Sequence, residues 1–262
     1  METMQALTQY YGSYDEDHRL CSRRGTVEYL TTIRYIEKYL HPGMRILEIG
    51  AATGRYSHYF AQGGYQVDAI ELIPHNIEIF KSNTKPGETV TVTQGNAKNL
   101  ELFSDHTYDI TLLLGPMYHL FTEEEKLQAL SEAIRVTKKG GIVFTAYCMG
   151  DASILLYGFV RGEIHNLIDQ CMLDPVTLET FSKPWDLFEL YRKEDIDALR
   201  THFPVTQLHF LATDGYANHM RQTLDQMDEE TFQLFLRYHF ATCERVDLLG
   251  YSNHTLDIFR KD

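Results

Sequence analysis

Met44-Arg45-Ile46-Leu47-Glu48-Ile49-Gly50-Ala51-Ala52-Thr53-Gly54-Arg55 decides the fold. Met44 to Ile49 is a short apolar run that stops at glycine, and it reads as a buried strand. Gly50 to Gly54 make a tight turn, and Tyr56 to Gln62 follow as a helix closed by Gly63-Gly64. In such a strand–turn–helix unit the glycines let backbone N–H groups approach a ligand closely.

The pattern repeats outward. Upstream, the apolar spacing of Leu30, Ile33, Ile36, Tyr39 and Leu40 predicts a helix over 29–40, ended by His41-Pro42-Gly43. Downstream, strands are expected over 65–72, 89–93, 108–114, 142–148, 205–213 and 254–260. Between them lie helices over 74–82, 122–136 and 193–202, with further helical segments over 216–242. Pro74 suits a first helical turn, and Thr122 with Glu125 has capping-box spacing. Alternating strands and helices imply parallel β-α-β units. The expected fold is therefore α/β, a doubly wound, mostly parallel seven-stranded sheet with helices on both faces. Residues 151–190 interrupt the alternation with helical spacing and then a Pro- and aromatic-containing stretch, which reads as a helical cap insertion. The expected organisation is an N-terminal helical lid (1–43), a cofactor-binding core (44–150), the cap (151–190) and a C-terminal completion of the core (191–262).

Spacing around the turn discriminates among ligands. A dinucleotide site needs G-x-G-x-x-G, with the pyrophosphate on a helix N-terminus. Here the glycines fall at 50 and 54, and Glu48 precedes the turn; a carboxylate there opposes a pyrophosphate. The run Ile46 to Gly54 resembles the first motif of the class I S-adenosylmethionine-dependent methyltransferases, E/D-x-G-x-G-x-G, with Ala52 where that family often has its middle glycine. The resemblance extends over residues 44–148 and includes Lys138-Lys139-Gly140-Gly141, similar to the family's K-P-G-G turn. It implies a Rossmann-like core that binds S-adenosyl-L-methionine and releases S-adenosyl-L-homocysteine.

On that resemblance the cofactor-binding set is Glu48, Gly50, Ala51, Ala52, Gly54, Arg55, Glu71, Leu72, Asn96, Ala97, Leu114 and Gly115. Glu71 ends the second strand about 20 residues beyond Gly50, the spacing at which a carboxylate accepts from both ribose hydroxyls. Asn96, after the third strand, carries both a donor and an acceptor for the adenine. Gly115-Pro116-Met117-Tyr118-His119 follows the fourth strand, at the edge where doubly wound sheets hold ligands. It departs from the Asp/Asn-Pro-Pro-Tyr motif of nucleic-acid amino-methyltransferases. Tyr118 and His119 are the catalytic candidates, His119 as a general base whose unperturbed pKa lies near neutrality. In similar methyltransferases the segment before the first strand folds over the cofactor. Tyr11, Tyr14 and Arg24 from that segment, with Tyr147 and Trp185, are the candidate substrate-binding residues. Arg24 suits a carboxylate of the cofactor or of an acidic substrate.

Composition narrows the partners. With 24 Lys+Arg against 37 Asp+Glu, the formal charge is −13. An acidic surface repels phosphate backbones and disfavours a nucleic-acid partner. Cys21, Cys148, Cys171 and Cys243 form no C-x-x-C pair, and the 12 histidines show no metal-ligand spacing, so no metal is expected. No apolar run of about 18 residues suggests a membrane span. Met1 to Tyr14 lacks a signal-peptide pattern, which points to the cytoplasm. The expected partner is a small-molecule substrate, and the expected state a monomer or homodimer. Two alternatives stay open: a non-catalytic S-adenosylmethionine-binding protein, and a nicotinamide-dependent oxidoreductase.

Overall fold

The computed structural model describes residues 2–13, 19–185 and 187–262. Seven strands form one sheet: β1 (Arg45–Ile49), β2 (Gln66–Glu71), β3 (Val90–Gln94), β4 (Tyr108–Leu113), β5 (Thr137–Cys148), β6 (Val205–Ala212) and β7 (His254–Lys261). Their order is β3-β2-β1-β4-β5-β7-β6. The first five run parallel, and β7 lies antiparallel between β5 and β6. The order reverses between β1 and β4, where a doubly wound sheet opens its ligand crevice.

Alternation along the strands builds two cores. Leu47, Ile49, Leu113, Val143 and Phe259 enter one. Ile46, Ile110, Leu112, Phe144 and Ile258 enter the other. Successive strand residues point to opposite faces, so both faces need cover. On the first lie α5 (Glu123–Val136), through Ala129, Leu130 and Ala133, and α8 (Lys193–Thr201), through Ile196 and Leu199. On the second lie α2 (Arg23–Glu37), through Ile33 and Ile36, and α3 (Arg55–Gln62), through Tyr56 and Phe60. Burying each large apolar side chain contributes about 1.5–3 kcal/mol.

Local chemistry sets the helix ends. Ser22 caps α2 by accepting from the Gly25 N–H, and Thr122 caps α5 by accepting from the Glu125 N–H at 3.2 Å. The Glu125 side chain pairs with Lys98 instead of completing a capping box. The Lys138-Lys139-Gly140-Gly141 segment is not a free turn. It is the start of β5, which leaves α5 directly, with a register break opposite Tyr108 and Ile110. Gly140 sits at φ +74, and a Cβ on Gly141 would lie 2.9 Å from the Asp109 carbonyl oxygen, so both glycines are needed there.

α4 (Pro74–Asn83) packs on β2 and β3 through Phe80, and the other elements include α1 (Glu2–Ser13), a 3-10 turn (Pro116–His119), α6 (Gly150–Ser153) continuing as a π-helix (Ile154–Val160), α7 (Ile164–Asp169), α9 (Arg221–Gln226) and α10 (Glu229–Thr242). No helix among the described residues is long and apolar enough to cross a membrane.

Candidate cofactor and acceptor site

Two cavities meet at the carboxyl edge. One, of about 770 Å3, lies beyond β1, β2 and β4 and is lined by Gly50, Ala52, Glu71, Leu72, Asn96, Ala97 and Gly115, together with Asn76, Lys98, Phe121 and Gln128. The other, of about 530 Å3, is walled by residues of the 151–190 segment and by Arg19, Arg24, Tyr118, Arg221 and His254. Tyr11 of α1 lines both.

The glycine turn is held from behind. The N–H groups of Gly50 and Ala51 donate to the Ile70 carbonyl at 2.8 and 3.0 Å, and Gly54 N–H donates to Ala51 at 2.8 Å. The Ala52 N–H donates to Glu71 Oε2 at 2.8 Å. These amides are therefore spent inside the protein rather than offered to an anion, as a pyrophosphate cradle requires. A Cβ on Gly50 would lie 2.7 Å from the Pro116 ring, and one on Gly54 2.3 Å from Phe80. Ala52 takes φ +47, the left-handed conformation a glycine would adopt without strain.

Glu71 is buried, and desolvation pushes its pKa up against the lowering effect of the amides of Ile73 and Ala52. Its Oε1 accepts from Ile73 N–H at 2.8 Å and from Asn76 Nδ2 at 3.4 Å. A carboxylate offers about four lone-pair sites, so acceptor capacity remains toward the cavity. Asn96 lines the cavity while its Oδ1 accepts from Lys98 N–H at 3.0 Å, making it a turn asparagine as well.

Five of the expected cofactor residues do not line either cavity. Glu48 points to the opposite face of β1 from Leu47 and Ile49, as strand alternation demands, and accepts from Ser57 N–H at 2.9 Å and from the Ser57 hydroxyl. Ala51 packs with Ala69 and Phe80, and Leu114 packs against the α2–α3 core. Gly54 opens α3 beneath Phe80. Arg55 turns away to lie 4.6 Å over the Tyr29 ring and to donate to Cys21 Sγ.

The catalytic candidates sit at the boundary of the cavities. Tyr118 donates to the Leu114 carbonyl at 2.7 Å, and burial raises its pKa well above 10.0. His119 Nδ1 faces the Leu187 carbonyl at 2.7 Å; a carbonyl only accepts, so Nδ1 carries the proton. Nε2 then accepts from the Tyr11 hydroxyl at 2.8 Å. Burial pushes the His119 pKa down to about 4 despite the Leu187 bond. Both ring nitrogens are thus occupied within the protein, which undercuts a free general base and makes His119 the anchor of Tyr11.

Of the substrate candidates, Tyr11 and Arg24 line the second cavity, and Tyr14 lies outside the described residues. Tyr147 is 1% exposed and packs edge-on to Tyr191, on the sheet face away from the cavity. Trp185 is 64% exposed and lines neither cavity. His254 was not anticipated. Its Nδ1 lies 2.9 Å from Asp214 and 3.7 Å from Glu28. Burial works against its charge, but Glu28, Cys148 and Asp214 together hold its pKa well above the ordinary histidine value. Arg19 in turn pairs with both oxygens of Glu28 at 3.1 and 2.8 Å, so Glu28, Asp214 and His254 form an ion-pair chain. β7 is antiparallel, so its first residue, His254, pairs with Cys148 at the end of β5 and arrives at the site.

The sheet order and the placement of the cavity beyond β1 and β4 define a class I methyltransferase fold. Residues 46–141 match the family described as "Methyltransferase domain". Among curated relatives, the chain is 27% identical over 106 residues to an S-adenosyl-L-methionine-dependent Diels-Alderase of Talaromyces variabilis (39% of this chain, 35% of that one). It is 31% identical over 106 residues to a demethylmenaquinone methyltransferase of Renibacterium salmoninarum (40% of this chain, 41% of that one). The chain thus spans well under half the length of these relatives. Among solved structures, the N-methyltransferase NodS of Bradyrhizobium japonicum, in complex with S-adenosyl-L-homocysteine, superposes with TM-score 0.60 at 13% identity, covering 100% of this chain and 99% of that one. A [4+2]-cyclase, SpnF, gives TM-score 0.57 at 16% identity, covering 89% and 80%.

Proposed function

We propose that this chain transfers the methyl group of S-adenosylmethionine to a small organic acceptor held in the 530 Å3 cavity. The observation that carries this is the pair of adjoining cavities, one at the glycine turn with Glu71 and Asn96, the other walled by residues 151–190, sharing Tyr11. In this reading residues 1–43 are a lid, 44–150 and 191–262 the core, and 151–190 a cap.

S-adenosylmethionine, when bound, supplies a methyl on a cationic sulfur that leaves with the bond's electron pair. The residues that would hold it are Gly50, Ala52, Glu71, Asn96 and Gly115. Glu71 offers its one remaining lone-pair site to a ribose hydroxyl, and Asn96 its amide N–H groups to the adenine. The protein aligns the acceptor with the methyl and excludes water, which are the main demands of such a displacement. Tyr11, Tyr118 and His119 border the junction and keep their own protons in defined hydrogen bonds. A second reading, in which the bound cofactor is a fixed wall for a cyclisation, is favoured by the Diels-Alderase and [4+2]-cyclase names among the relatives.

Calorimetry with S-adenosylhomocysteine and NAD tests the cofactor. S-adenosylhomocysteine should bind and NAD should not, and Glu71→Ala should weaken binding about tenfold, since hydrogen bonds to a charged group contribute about 1.5–3 kcal/mol. Tighter binding of NAD overturns the proposal. Transfer of labelled methyl from the cofactor to an acceptor separates methylation from cyclisation.

A further inference from the structure

The second cavity holds two guanidinium groups with no carboxylate partner among the described residues. Arg24, near the start of α2, donates through Nη1 to Asn218 Oδ1 at 3.1 Å. Arg221, the first residue of α9, donates to the same oxygen through Nε at 2.8 Å and also through Nη2. Both charges therefore converge on one neutral amide. Among the described residues neither arginine has a carboxylate within 4.0 Å, whereas the other cations of the cavity are matched: Arg19 with Glu28, and His254 with Asp214. Glu163, the acid on the cavity wall, is exposed and accepts from Asn166 at 3.2 Å. Asp214 reaches the pair only through Asn218, whose Nδ2 donates to it at 3.3 Å.

An unmatched pair of this kind is costly. Partial burial and then the Arg24 charge lower the pKa of Arg221, the direction expected of half-buried cations held close together. The chain has 37 Asp+Glu and could have supplied a partner. Beyond this corner an apolar stretch of wall, Ile154, Leu167, Met172, Leu173, Phe181 and Phe188, lies among the polar side chains of Ser153, Asn166, Thr180 and Ser182. Guanidinium forks match carboxylate geometry with two parallel hydrogen bonds, and the match strengthens where water is excluded.

Resting on the reading of this cavity as the acceptor site, we propose that Arg24 and Arg221 form an anion seat, and that the acceptor is an apolar molecule bearing a carboxylate. The carboxylate fixes one end of the molecule at α2 and α9 and directs its body along the apolar wall toward Tyr11 and Tyr118.

The test uses 2-naphthoate and 3-phenylpropanoate, each beside its methyl ester, in calorimetry on the full chain with and without saturating S-adenosylhomocysteine. Each acid should bind at least tenfold more tightly than its ester. In the double variant Arg24→Gln/Arg221→Gln that preference should vanish, while binding of the esters stays as it was. The acid-over-ester preference of the unaltered chain decides the matter if the variant fails to fold. Equal binding of acid and ester, binding of neither, or a preference that survives in the double variant overturns the anion seat. Preferential binding of the acids without any S-adenosylhomocysteine binding supports the seat and overturns the cofactor reading instead.

Discussion

Glu48 shows how burial sets a charge state. Its carboxyl is 2% exposed, and desolvation raises its pKa to about 8, more than the two hydrogen bonds from Ser57 can lower it. The folded chain therefore holds a proton on Glu48 that the unfolded chain releases above its ordinary value of 4.5. A raised carboxyl pKa makes stability highest below about pH 4.5 and lowers it progressively as pH rises to about 8. Glu48→Gln keeps an acceptor for Ser57 and removes the titration. The expected outcome is a melting temperature that matches the unaltered chain near pH 5 and exceeds it by several degrees near pH 8, read by scanning calorimetry. Equal pH profiles for the two proteins would show that Glu48 is ionised in the fold. The glutamate itself was legible in the sequence as part of the motif, but its role was not. The motif places an acid beside the turn, whereas the strand's alternation sends that acid to the α3 face. Gly50, Ala52, Glu71, Leu72, Asn96, Ala97 and Gly115 were legible because backbone position at the strand ends, rather than side-chain direction, brings them to the cavity.

At the scale of elements, the strand–turn–helix from β1 to α3 depends on Gly54. It adopts φ +85, and a Cβ there would lie 2.3 and 2.4 Å from the Phe80 ring and 2.9 Å from His58. His58 is itself fixed by Glu88 at 2.7 Å and by the Phe80 carbonyl at 3.1 Å, so it cannot move aside without breaking a buried pair. Gly54→Ala combines left-handed strain of about 1–2 kcal/mol with overpacking of about 1–3 kcal/mol. A loss of roughly 2–5 kcal/mol is expected by urea denaturation, whereas Ala52→Gly, which relieves a left-handed alanine, should cause no such loss. A loss below about 1 kcal/mol would mean that Phe80 repacks freely. All seven strands were legible because apolar runs and glycine breaks alternate. The extension of β5 through Lys138-Lys139-Gly140-Gly141 was not, since a bulged strand and a turn have the same glycine signature. Trp185 misled because an aromatic residue in an irregular segment carries no periodicity from which to read its side.

Across the whole molecule, the site is assembled from parts distant in sequence. Tyr11 of α1, His119 after β4 and Leu187 of the 151–190 segment form one chain of hydrogen bonds that ties three segments over the junction of the cavities. His254 and Arg221 join it only because β7 runs antiparallel and α9 packs against α2. Neither fact has a local sequence signal, so both residues escaped the reading of motifs. The tie has a definite proton requirement. His119 accepts from Tyr11 only when neutral, and its pKa of about 4 lies below the ordinary 6.5. The folded state therefore binds fewer protons than the unfolded state in this interval. Its contribution is present above about pH 6.5 and is lost as pH falls through about 4. Tyr11→Phe removes the hydroxyl but keeps the ring. A net hydrogen bond is worth about 0.5–1.5 kcal/mol, so S-adenosylhomocysteine should bind roughly two- to tenfold more weakly and leave faster, with the fold intact. In the unaltered chain this affinity should show no inflection near pH 6.5 and should weaken only as pH approaches about 4, and in Tyr11→Phe the acid weakening should be smaller. Affinities from stopped-flow or calorimetry between pH 4 and 8 check both parts. An inflection near pH 6.5 that disappears in His119→Gln would show that His119 titrates as an exposed histidine, and that α1 is not held closed through it.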